Sequence, residues 1–326
     1  MNFLMMVGLP GSGKSLFANE FAKTINAIVI SSDAIRKELF GSEETQGDPK
    51  YVFEVMNKRT VDALKSGKNV IYDATNCSDK NRKNILQSIS KFNCTKTAIV
   101  MATPIEQCKC NNLNRERKVP VNVIDNMYRN FHFPMYQEGF DNIFINYPFQ
   151  DLLKDYNMSE KLLNKNDGLI YYNQNNSHHS QTLGNHLLST CNYAIRNFKG
   201  NNMVSIAGLL HDIGKPEVCT MYDKRGNKTD EAHYYNHQYV SSYEAMFYLT
   251  DTSFKYFSNL EESDVVYICQ LISNHMSPYF WEHEKTVERY RRYWGDSFYN
   301  DVMMLHEADV ESHKDGVIPI VIKKTI

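Results

Sequence analysis

The sequence predicts two domains, a parallel, doubly wound α/β domain followed by an all-α domain. At 326 residues the chain is long enough for two hydrophobic cores, since single domains usually have about 100 to 200 residues. Apolar, strand-like runs alternate with helical segments in the first half, whereas the second half carries helical patterns with scattered histidines. The predicted divisions are a first domain over 1–150, a polar linker over 151–175 and a second domain over 176–326.

The composition is that of an ordinary folded protein, with 42% hydrophobic and 23% charged residues. The chain has 36 Lys and Arg residues and 38 Asp and Glu residues, for a formal charge of -2. Because the protein as a whole is not basic, any contact with nucleic acid must rely on a local group of basic residues. Seven cysteines without a Cys-x-x-Cys pair favour reduced thiols over a disulfide framework or a zinc ribbon. The apolar run 3–7 is too short to span a membrane. We therefore expect a cytoplasmic protein without a membrane partner.

The first element is a strand that leads into a glycine-rich turn and a helix, in the stretch FLMMVGLPGSGKSLF. Its glycines, lysine and serine satisfy the pattern G-x-x-x-x-G-K-[ST], which is that of a P-loop. Backbone N–H groups of such a loop converge on phosphate oxygens, the lysine reaches the β- and γ-phosphates, and the serine hydroxyl binds Mg²⁺. The motif predicts binding of ATP and Mg²⁺ by Gly11, Ser12, Gly13, Lys14 and Ser15.

The elements that follow alternate between helix and strand as far as about residue 110. Strands that are separated by helices form a parallel sheet whose ligands bind at the carboxyl ends of the strands. The predicted order is a helix to Thr24, the strand AIVISS, a helix from Asp33 to Gly41, a long helix through Asp62, the strand NVIYDAT, a helix, the strand TKTAIVMA and a further helix.

Charged residues follow the ends of these strands. Asp33 comes after the second strand, Arg36 lies one helical turn further on, and Asp73 ends the third strand. Asp33 is either a helix N-cap or a carboxylate that accepts a hydroxyl proton, with Arg36 binding a second phosphate. Arg115 and Arg117 are either part of a solvated charged face or ligands of phosphate.

Four stretches in this order, GLPGSGKS, SSDAIRKELFG, VIYDATN and NRERKVPVNVIDNMYRNFHFP, resemble the 5′-kinase module of polynucleotide kinases over residues 1–146. The resemblance implies that Asp33 is the general base and that Arg36 grips a phosphate of the nucleic-acid acceptor. It also implies that Arg115 or Arg117 closes on ATP and that Asp73 lies near Mg²⁺ and the acceptor. Kinases of small molecules share this fold, so the size of the acceptor stays open.

The second half carries ligand-type residues at or near the ends of its predicted helices. A single histidine on an apolar helix is more often a core residue than a metal ligand. The whole set, however, occurs in the order H...HD...H...H...D, which resembles the HD superfamily of metal-dependent phosphohydrolases over residues 178–313. The set comprises His186, His211, Asp212, His237, His275 and Asp309.

This resemblance implies two metal positions that share Asp212. In the family, His186, His211, Asp212 and Asp309 match the first position, and Asp212, His237 and His275 match the second. Such a pair can share a bridging water and clamp a phosphate ester. Imidazole and carboxylate ligands suit Mn²⁺, Ni²⁺, Co²⁺, Fe²⁺ or Zn²⁺ better than Mg²⁺ alone. Lys215 resembles the phosphate-gripping lysine of the family, with a helix-capping cation as the alternative.

Some residues of the second half receive no role or two competing ones. An aromatic and arginine-rich stretch over 281–294 is interpreted as core packing in preference to an RNA-stacking patch. No ligand position is assigned to the remaining histidines, which are His178, His179, His233, His283, His306 and His313.

Together the two resemblances lead us to expect a bifunctional enzyme that heals broken nucleic-acid ends, with RNA preferred to DNA. The kinase would phosphorylate a 5′-OH, and the phosphohydrolase would remove a 2′,3′-cyclic phosphate or a 2′- or 3′-phosphate. No K-x-D-G ligase motif is apparent, so a separate RNA ligase would act downstream. The alternatives are a kinase of nucleosides or nucleotides fused to an HD nucleotidase, and a regulatory HD module that only binds a nucleotide.

Overall fold

The computed structural model describes residues 1–42, 47–115, 117–177 and 180–313. The chain separates into two compact units, Met1–Gln150 and Asp151–Ile326. His178 and His179, which received no role, lie outside the described residues. No helix in the described part of the chain is both long and apolar enough to cross a lipid bilayer.

The first unit is built on a five-stranded sheet in which all neighbouring strands are parallel. Its strands are β1 (Asn2–Val7), β2 (Ala27–Ser31), β3 (Asn69–Asp73), β4 (Thr95–Met101) and β5 (Asn142–Asn146), and they lie in the order β2-β3-β1-β4-β5. Its helices are α1 (Lys14–Ile25), α2 (Ser32–Phe40), α3 (Pro49–Lys65), α4 (Asp79–Ile89), α5 (Ile105–Leu113) and α6 (Val121–Arg129). The predicted parallel α/β fold is confirmed.

Burial of the central strand explains why its sequence is a continuous apolar run. In β1, Phe3, Met5 and Met6 are fully buried, as expected for a parallel strand that is covered on both faces. Ser31 at the end of β2 lies opposite Asp73 at the end of β3. The residues that follow β1, β2 and β3 therefore meet at one edge of the sheet.

The second unit is mainly helical. Helix α8 packs against α9 and α14, and α9 also packs against α12, around a core that includes Leu187, Leu209, Leu271 and Leu305. The helices of this unit are α7 (Met158–Leu163), α8 (Leu183–Asn197), α9 (Asn202–Leu210), α10 (Lys215–Val218), α11 (His237–Tyr248), α12 (Glu262–Asn274), α13 (Glu284–Trp294) and α14 (Asp296–Ser312).

A β-hairpin in this unit corrects the expectation of an all-α domain. Strands β6 (Thr220–Tyr222) and β7 (Lys228–His233) pair antiparallel. Asp223 Oδ1 closes the turn by accepting the backbone N–H groups of Arg225 and Asn227, each at 2.8 Å. The hairpin was not predicted because β7 is largely exposed and polar, so its sequence lacks the alternation of apolar residues that identifies a strand.

The polar linker that was expected over 151–175 is wrong, because this segment folds as part of the second unit. Met158 and Leu162 of α7 are fully buried, and Leu169 of the following 3₁₀ turn is 2% exposed. Gly184 of α8 has no room for a Cβ atom against the backbone of that turn. A few apolar anchors therefore hold a segment whose overall composition is polar.

Candidate functional site

The glycine-rich loop joins β1 to α1 at the sheet edge. Gly11 and Gly13 have φ angles of 82° and 90°, in the left-handed region that favours glycine. The buried ammonium of Lys14 donates to the carbonyl oxygen of Leu9 at 2.6 Å and lies 3.3 Å from Ser12 Oγ. Burial lowers the pKa of Lys14. The loop therefore surrounds a cation at a helix N-terminus, which is how P-loops bind phosphate oxygens.

A hydroxyl and a carboxylate face each other at the start of α1. Ser15 Oγ lies 2.7 Å from Asp73 Oδ2, and Asp73 is 3% exposed. In P-loop enzymes a serine or threonine of the loop and a strand-end aspartate hold Mg²⁺. The structure thus brings together the two residues of the first unit that were expected near Mg²⁺.

Three arginines surround the carboxylate of Asp33. Arg36 Nη1 lies 2.8 Å from Asp33 Oδ1, Arg115 Nη2 lies 3.3 Å from Oδ2, and Arg117 pairs with Oδ1. The N-cap of α2 is Ser31, so the alternative that Asp33 caps this helix is wrong. The alternative of a solvated charged face is also unsuited to Arg117, whose side chain is only 13% exposed.

This cluster holds more positive than negative charge. Three guanidinium groups share one carboxylate, and burial together with Arg117 lowers the pKa of Arg36. Arg36 Nε is buried without a hydrogen-bond partner among the described residues. Because guanidinium groups bind phosphate oxygens in pairs, the cluster is suited to an anionic ligand close to Asp33.

In the second unit, the carboxylate of Asp212 lies among four imidazoles. Its Oδ2 is 3.5 Å from His186 Nε2 and 3.3 Å from His211 Nε2, and its Oδ1 is 3.0 Å from His237 Nε2 and 3.7 Å from His275 Nε2. All five side chains are buried. One carboxylate therefore joins two pairs of histidines.

The first pair of histidines has a second carboxylate. Asp309 Oδ1 lies 3.1 Å from His186 Nε2 and 3.4 Å from His211 Nε2. The hydroxyl of Tyr279 donates to Asp309 Oδ2 at 2.9 Å, which fixes the orientation of this carboxylate. The structure thus brings together all six residues that the sequence singled out for the two metal positions.

Hydrogen bonds at Nδ1 determine which nitrogen of these histidines faces the cluster. A carbonyl oxygen only accepts hydrogen bonds, so an Nδ1 beside one carries its proton, and in the neutral ring Nε2 then offers a lone pair. Three of the rings have this partner: His211 with Gly208 O at 2.8 Å, His237 with Tyr234 O at 2.7 Å and His275 with Ile272 O at 2.8 Å.

The arrangement fits divalent cations. His186 Nε2 and His211 Nε2 are 3.2 Å apart, and His237 Nε2 and His275 Nε2 are 3.3 Å apart. Asp212 Oδ1 is buried without a hydrogen-bond donor in the described part of the chain. The close approach of the His237 and His275 nitrogens and the buried oxygen of Asp212 are unfavourable unless positive charge lies between them. This donor set suits first-row transition metals better than Mg²⁺.

The protein itself brings some positive charge to this cluster. Burial lowers the pKa of His211, but the carboxylates of Asp212 and Asp309 outweigh it and raise the pKa to about 10. Burial, with His211 and His237 nearby, lowers the pKa of His275 to about 3. A divalent cation would displace the proton of His211 as it binds.

Lys215 and Gln174 border the cluster. Lys215 Nζ lies 2.7 Å from Asp212 Oδ2 and donates to Gln174 Oε1 at 2.8 Å. These side-chain contacts favour the phosphate-gripping interpretation of Lys215 over a helix-capping cation. Sequence reasoning missed Gln174, since it lies in the segment that was expected to be a linker.

Two further residues at the end of α14 reach the site, although the sequence analysis assigned them nothing. Ser312 Oγ lies 3.0 Å from His186 Nδ1. His313 Nε2 lies 3.5 Å from Asp309 Oδ1, and its ring stacks on His186 with centroids 4.8 Å apart. Their spacing of three and four residues after Asp309, which puts them on the same helix face, is the signal that could have found them.

The aromatic side chains of the stretch 281–294 pack against one another and against α14. Trp281 stacks on Tyr299 with centroids 5.7 Å apart, and it contacts Tyr290 and Trp294. Trp294 is 4% exposed. These contacts favour the core-packing interpretation over an RNA-stacking patch.

Comparisons with known proteins match part of the chain. A family model described as an AAA domain matches residues 3–134. An L-seryl-tRNA(Sec) kinase of Methanococcus maripaludis is 27% identical over 136 residues, which are 40% of this chain and 52% of that protein. A candidate bifunctional polynucleotide phosphatase/kinase of Acanthamoeba polyphaga mimivirus is 29% identical over 150 residues, 43% of this chain and 32% of that protein. The first unit is a P-loop kinase module, a class that uses ATP and Mg²⁺.

Two solved structures also resemble part of the chain. A chain of the Pnkp1/Rnl/Hen1 RNA repair complex matches with a TM-score of 0.37 and 23% identity, covering 40% of this chain and 43% of that one. A gluconokinase from Sinorhizobium meliloti 1021 matches with a TM-score of 0.33 and 15% identity, covering 47% of this chain and 88% of that one.

Proposed function

We propose that the protein heals broken nucleic-acid ends, preferably those of RNA, with a 5′-hydroxyl kinase in its first unit and a metal-dependent phosphohydrolase in its second. The observation that carries the proposal is that one chain contains two sites. The first unit has a P-loop and the cluster of arginines around Asp33, and the second unit has six buried candidate ligands centred on Asp212. A kinase that adds a 5′-phosphate and a hydrolase that clears the 3′ end complement each other on a cleaved strand.

In the kinase reaction, the 5′-oxygen of the acceptor would attack the γ-phosphorus of ATP, and ADP would leave. Asp33 would accept the proton of the attacking 5′-OH. Lys14 and Mg²⁺ at Ser15 and Asp73 would neutralise charge on the transferring phosphoryl group. Arg36 would bind a phosphate of the acceptor strand. The excess of guanidinium groups around Asp33 supports an acceptor that carries phosphate of its own.

In the hydrolase reaction, His186, His211, Asp212 and Asp309 would hold one divalent cation, and Asp212, His237 and His275 would hold a second. Such cations lower the pKa of a bound water and polarise a phosphate ester. Lys215 now pairs with Asp212 Oδ2. When a cation binds Asp212 Oδ2, the ammonium of Lys215 becomes available to bind a phosphate oxygen of the substrate.

The two reactions together leave a 5′-phosphate and a 3′-OH. These are the ends that a ligase joins, so a separate RNA ligase would act downstream.

The seven cysteines are all free, which fits a location in the reducing cytoplasm.

The similarity to an L-seryl-tRNA(Sec) kinase favours a second candidate, in which the first unit phosphorylates a hydroxyl of an aminoacyl-tRNA or of a small molecule. The fold serves both classes of acceptor. The Asp33–arginine cluster would then bind phosphates of the tRNA or of a nucleotide.

One assay tests the proposal. Purified protein is incubated with γ-labelled ATP and Mg²⁺ and, separately, with Mn²⁺, Ni²⁺ or Co²⁺. The substrate is an oligoribonucleotide with a 5′-OH and a 2′,3′-cyclic phosphate. We expect label at the 5′ end and loss of the cyclic phosphate. The Asp33→Asn variant, which keeps the shape of the side chain, should lose 5′ labelling by about 100-fold or more.

The same assay contains the outcomes that would refute the proposal. Label that enters seryl-tRNA or nucleosides but not the oligonucleotide would establish the second candidate. End healing would be excluded if the protein, supplied with each metal in turn, left every 2′ and 3′ phosphate of the oligonucleotide intact but hydrolysed free nucleoside monophosphates. A DNA oligonucleotide with a 5′-OH and a 3′-phosphate distinguishes RNA from DNA specificity.

A further inference from the structure

The two metal positions proposed above differ in the number of protein ligands around them. Around the first, His186 and His211 meet two carboxylates, whereas among the residues that the structure describes His237 and His275 meet one, that of Asp212. A seventh ligand-type side chain lies on the side of the first position. The donor atoms of His186, Asp309 and His313 all lie within 4.8 Å of one another.

We propose that His313 is a fifth protein ligand of the first cation, which is therefore bound more tightly than the second. Its Nε2 lies 3.5 Å from Asp309 Oδ1. Donors that share a cation at about 2.0 to 2.2 Å lie roughly 3 to 4 Å apart, so this separation needs little movement. Stacking on the ring of His186 holds the imidazole in place. This inference rests on the proposed metal-dependent function.

The exposure of His313 sets it apart from the other ligands. Its side chain is 28% exposed, whereas those of His186 and His211 are 1% and 0% exposed. Its neighbour Ser312 is fully buried on the same helix, which fixes the helix end and leaves His313 at the rim of the site. The second position, with three protein ligands, keeps more room for water and for a substrate phosphate.

The inference is tested by metal binding without any substrate. Metal-free protein is titrated with Co²⁺ in a calorimeter, and the visible absorption of bound Co²⁺ is recorded in parallel. We expect two steps of unequal affinity in the wild type. The His313→Ala variant should weaken the tighter step about tenfold or more and change its absorption bands, because the coordination number falls. The His237→Ala variant should weaken the other step.

Two further variants control for folding and for chemistry. His313→Glu supplies an oxygen donor and should retain most of the affinity of the tighter step. His283→Ala removes an exposed histidine at the start of α13, where it makes no side-chain cap, and should leave both steps unchanged.

Two results overturn the inference, and they differ. If wild type binds Co²⁺ in two steps and His313→Ala leaves the tighter step and its spectrum unchanged, His313 is not a ligand, and the proposed function survives. If wild type takes up no Co²⁺ at all, the proposed hydrolase site fails together with the inference.

Discussion

The hydroxyl of Ser312 lies 3.0 Å from Nδ1 of His186 and connects α14 to α8 behind the candidate metal site. Ser312 Oγ is also 2.7 Å from the carbonyl oxygen of Asp309. The hydroxyl therefore donates to that carbonyl and accepts the Nδ1–H of His186, so that Nε2 keeps its lone pair. We expect Ser312→Ala to weaken Mn²⁺ or Co²⁺ binding by about 10- to 100-fold, which calorimetric titration measures.

A second buried serine provides the matched control. Ser242 is fully buried in the same unit and donates to the carbonyl oxygen of Cys269 at 2.7 Å. Loss of either hydroxyl should lower the free energy of unfolding by about 1 kcal/mol. Only Ser312→Ala should change the affinity for metal. If both variants lost metal affinity equally, the effect of Ser312→Ala would come from general destabilisation of the unit.

The position of Arg36 leads to a prediction about substrate binding. Its Nη1 lies 2.8 Å from Asp33, whose carboxylate also pairs with Arg115 and Arg117, so Arg36 belongs to a group of three cations around one anion. Arg36→Ala should raise the KM for a 5′-OH oligonucleotide about 10- to 100-fold, the range for hydrogen bonds to charged groups. The KM for ATP should change far less.

Arg59→Ala is the control for Arg36, since Arg59 is a half-exposed arginine of the same unit that pairs with Glu38 at 2.5 Å. It should leave both KM values near those of the wild type. A larger rise in the KM for ATP than for the oligonucleotide in Arg36→Ala would move Arg36 to the donor side and favour a small acceptor.

Much of the first unit follows from sequence because its signals are local. The glycines of the loop, Lys14 and Ser15 lie close together in the chain, and the central buried strand β1 is a continuous apolar run from Phe3 to Val7. Asp73 could be placed near Ser15 because parallel strands end at one edge of a sheet. The grouping of three arginines on Asp33 could not be predicted, since Arg115 and Arg117 lie more than 80 residues away in the chain.

In the second unit, the order of histidines and aspartates in the sequence singled out six candidate ligands but not the residues around them. Gln174 contacts Lys215 across 41 residues, and Ser312 contacts His186 across 126 residues. Neither contact has a local signal. The segment around Leu169 was misjudged for a related reason, since a few buried anchors within a polar stretch are visible only once the helix they pack against is known.

The 2.7 Å contact between Ser15 Oγ and Asp73 Oδ2 predicts a change in Mg²⁺ dependence. If Ser15 binds the ion as proposed, removal of its hydroxyl takes away one ligand of Mg²⁺ but leaves Lys14 in place. Ser15→Ala should therefore raise the Mg²⁺ concentration for half-maximal kinase activity by about tenfold or more, while Ser15→Thr, which keeps the hydroxyl, stays near wild type. A Mg²⁺ titration at saturating ATP measures this, and identical curves for Ser15→Ala and wild type would exclude Ser15 as a ligand.

The last prediction concerns the independence of the two units, each of which has its own buried core and its own candidate site. His211→Ala removes a central ligand of the second unit and should abolish phosphate release from 2′,3′-cyclic ends, while 5′ labelling stays near wild type. Lys14→Ala removes the cation of the glycine-rich loop and should lower 5′ labelling by about 100-fold or more, within the range of electrostatic stabilisation of a transition state, while phosphate release persists. Both activities are measured on one oligonucleotide. The two variants should therefore show opposite patterns of loss. A fall of both activities in either variant would show that the sites are coupled. Phosphate release that persists in His211→Ala would show that His211 is not part of the proposed hydrolase site.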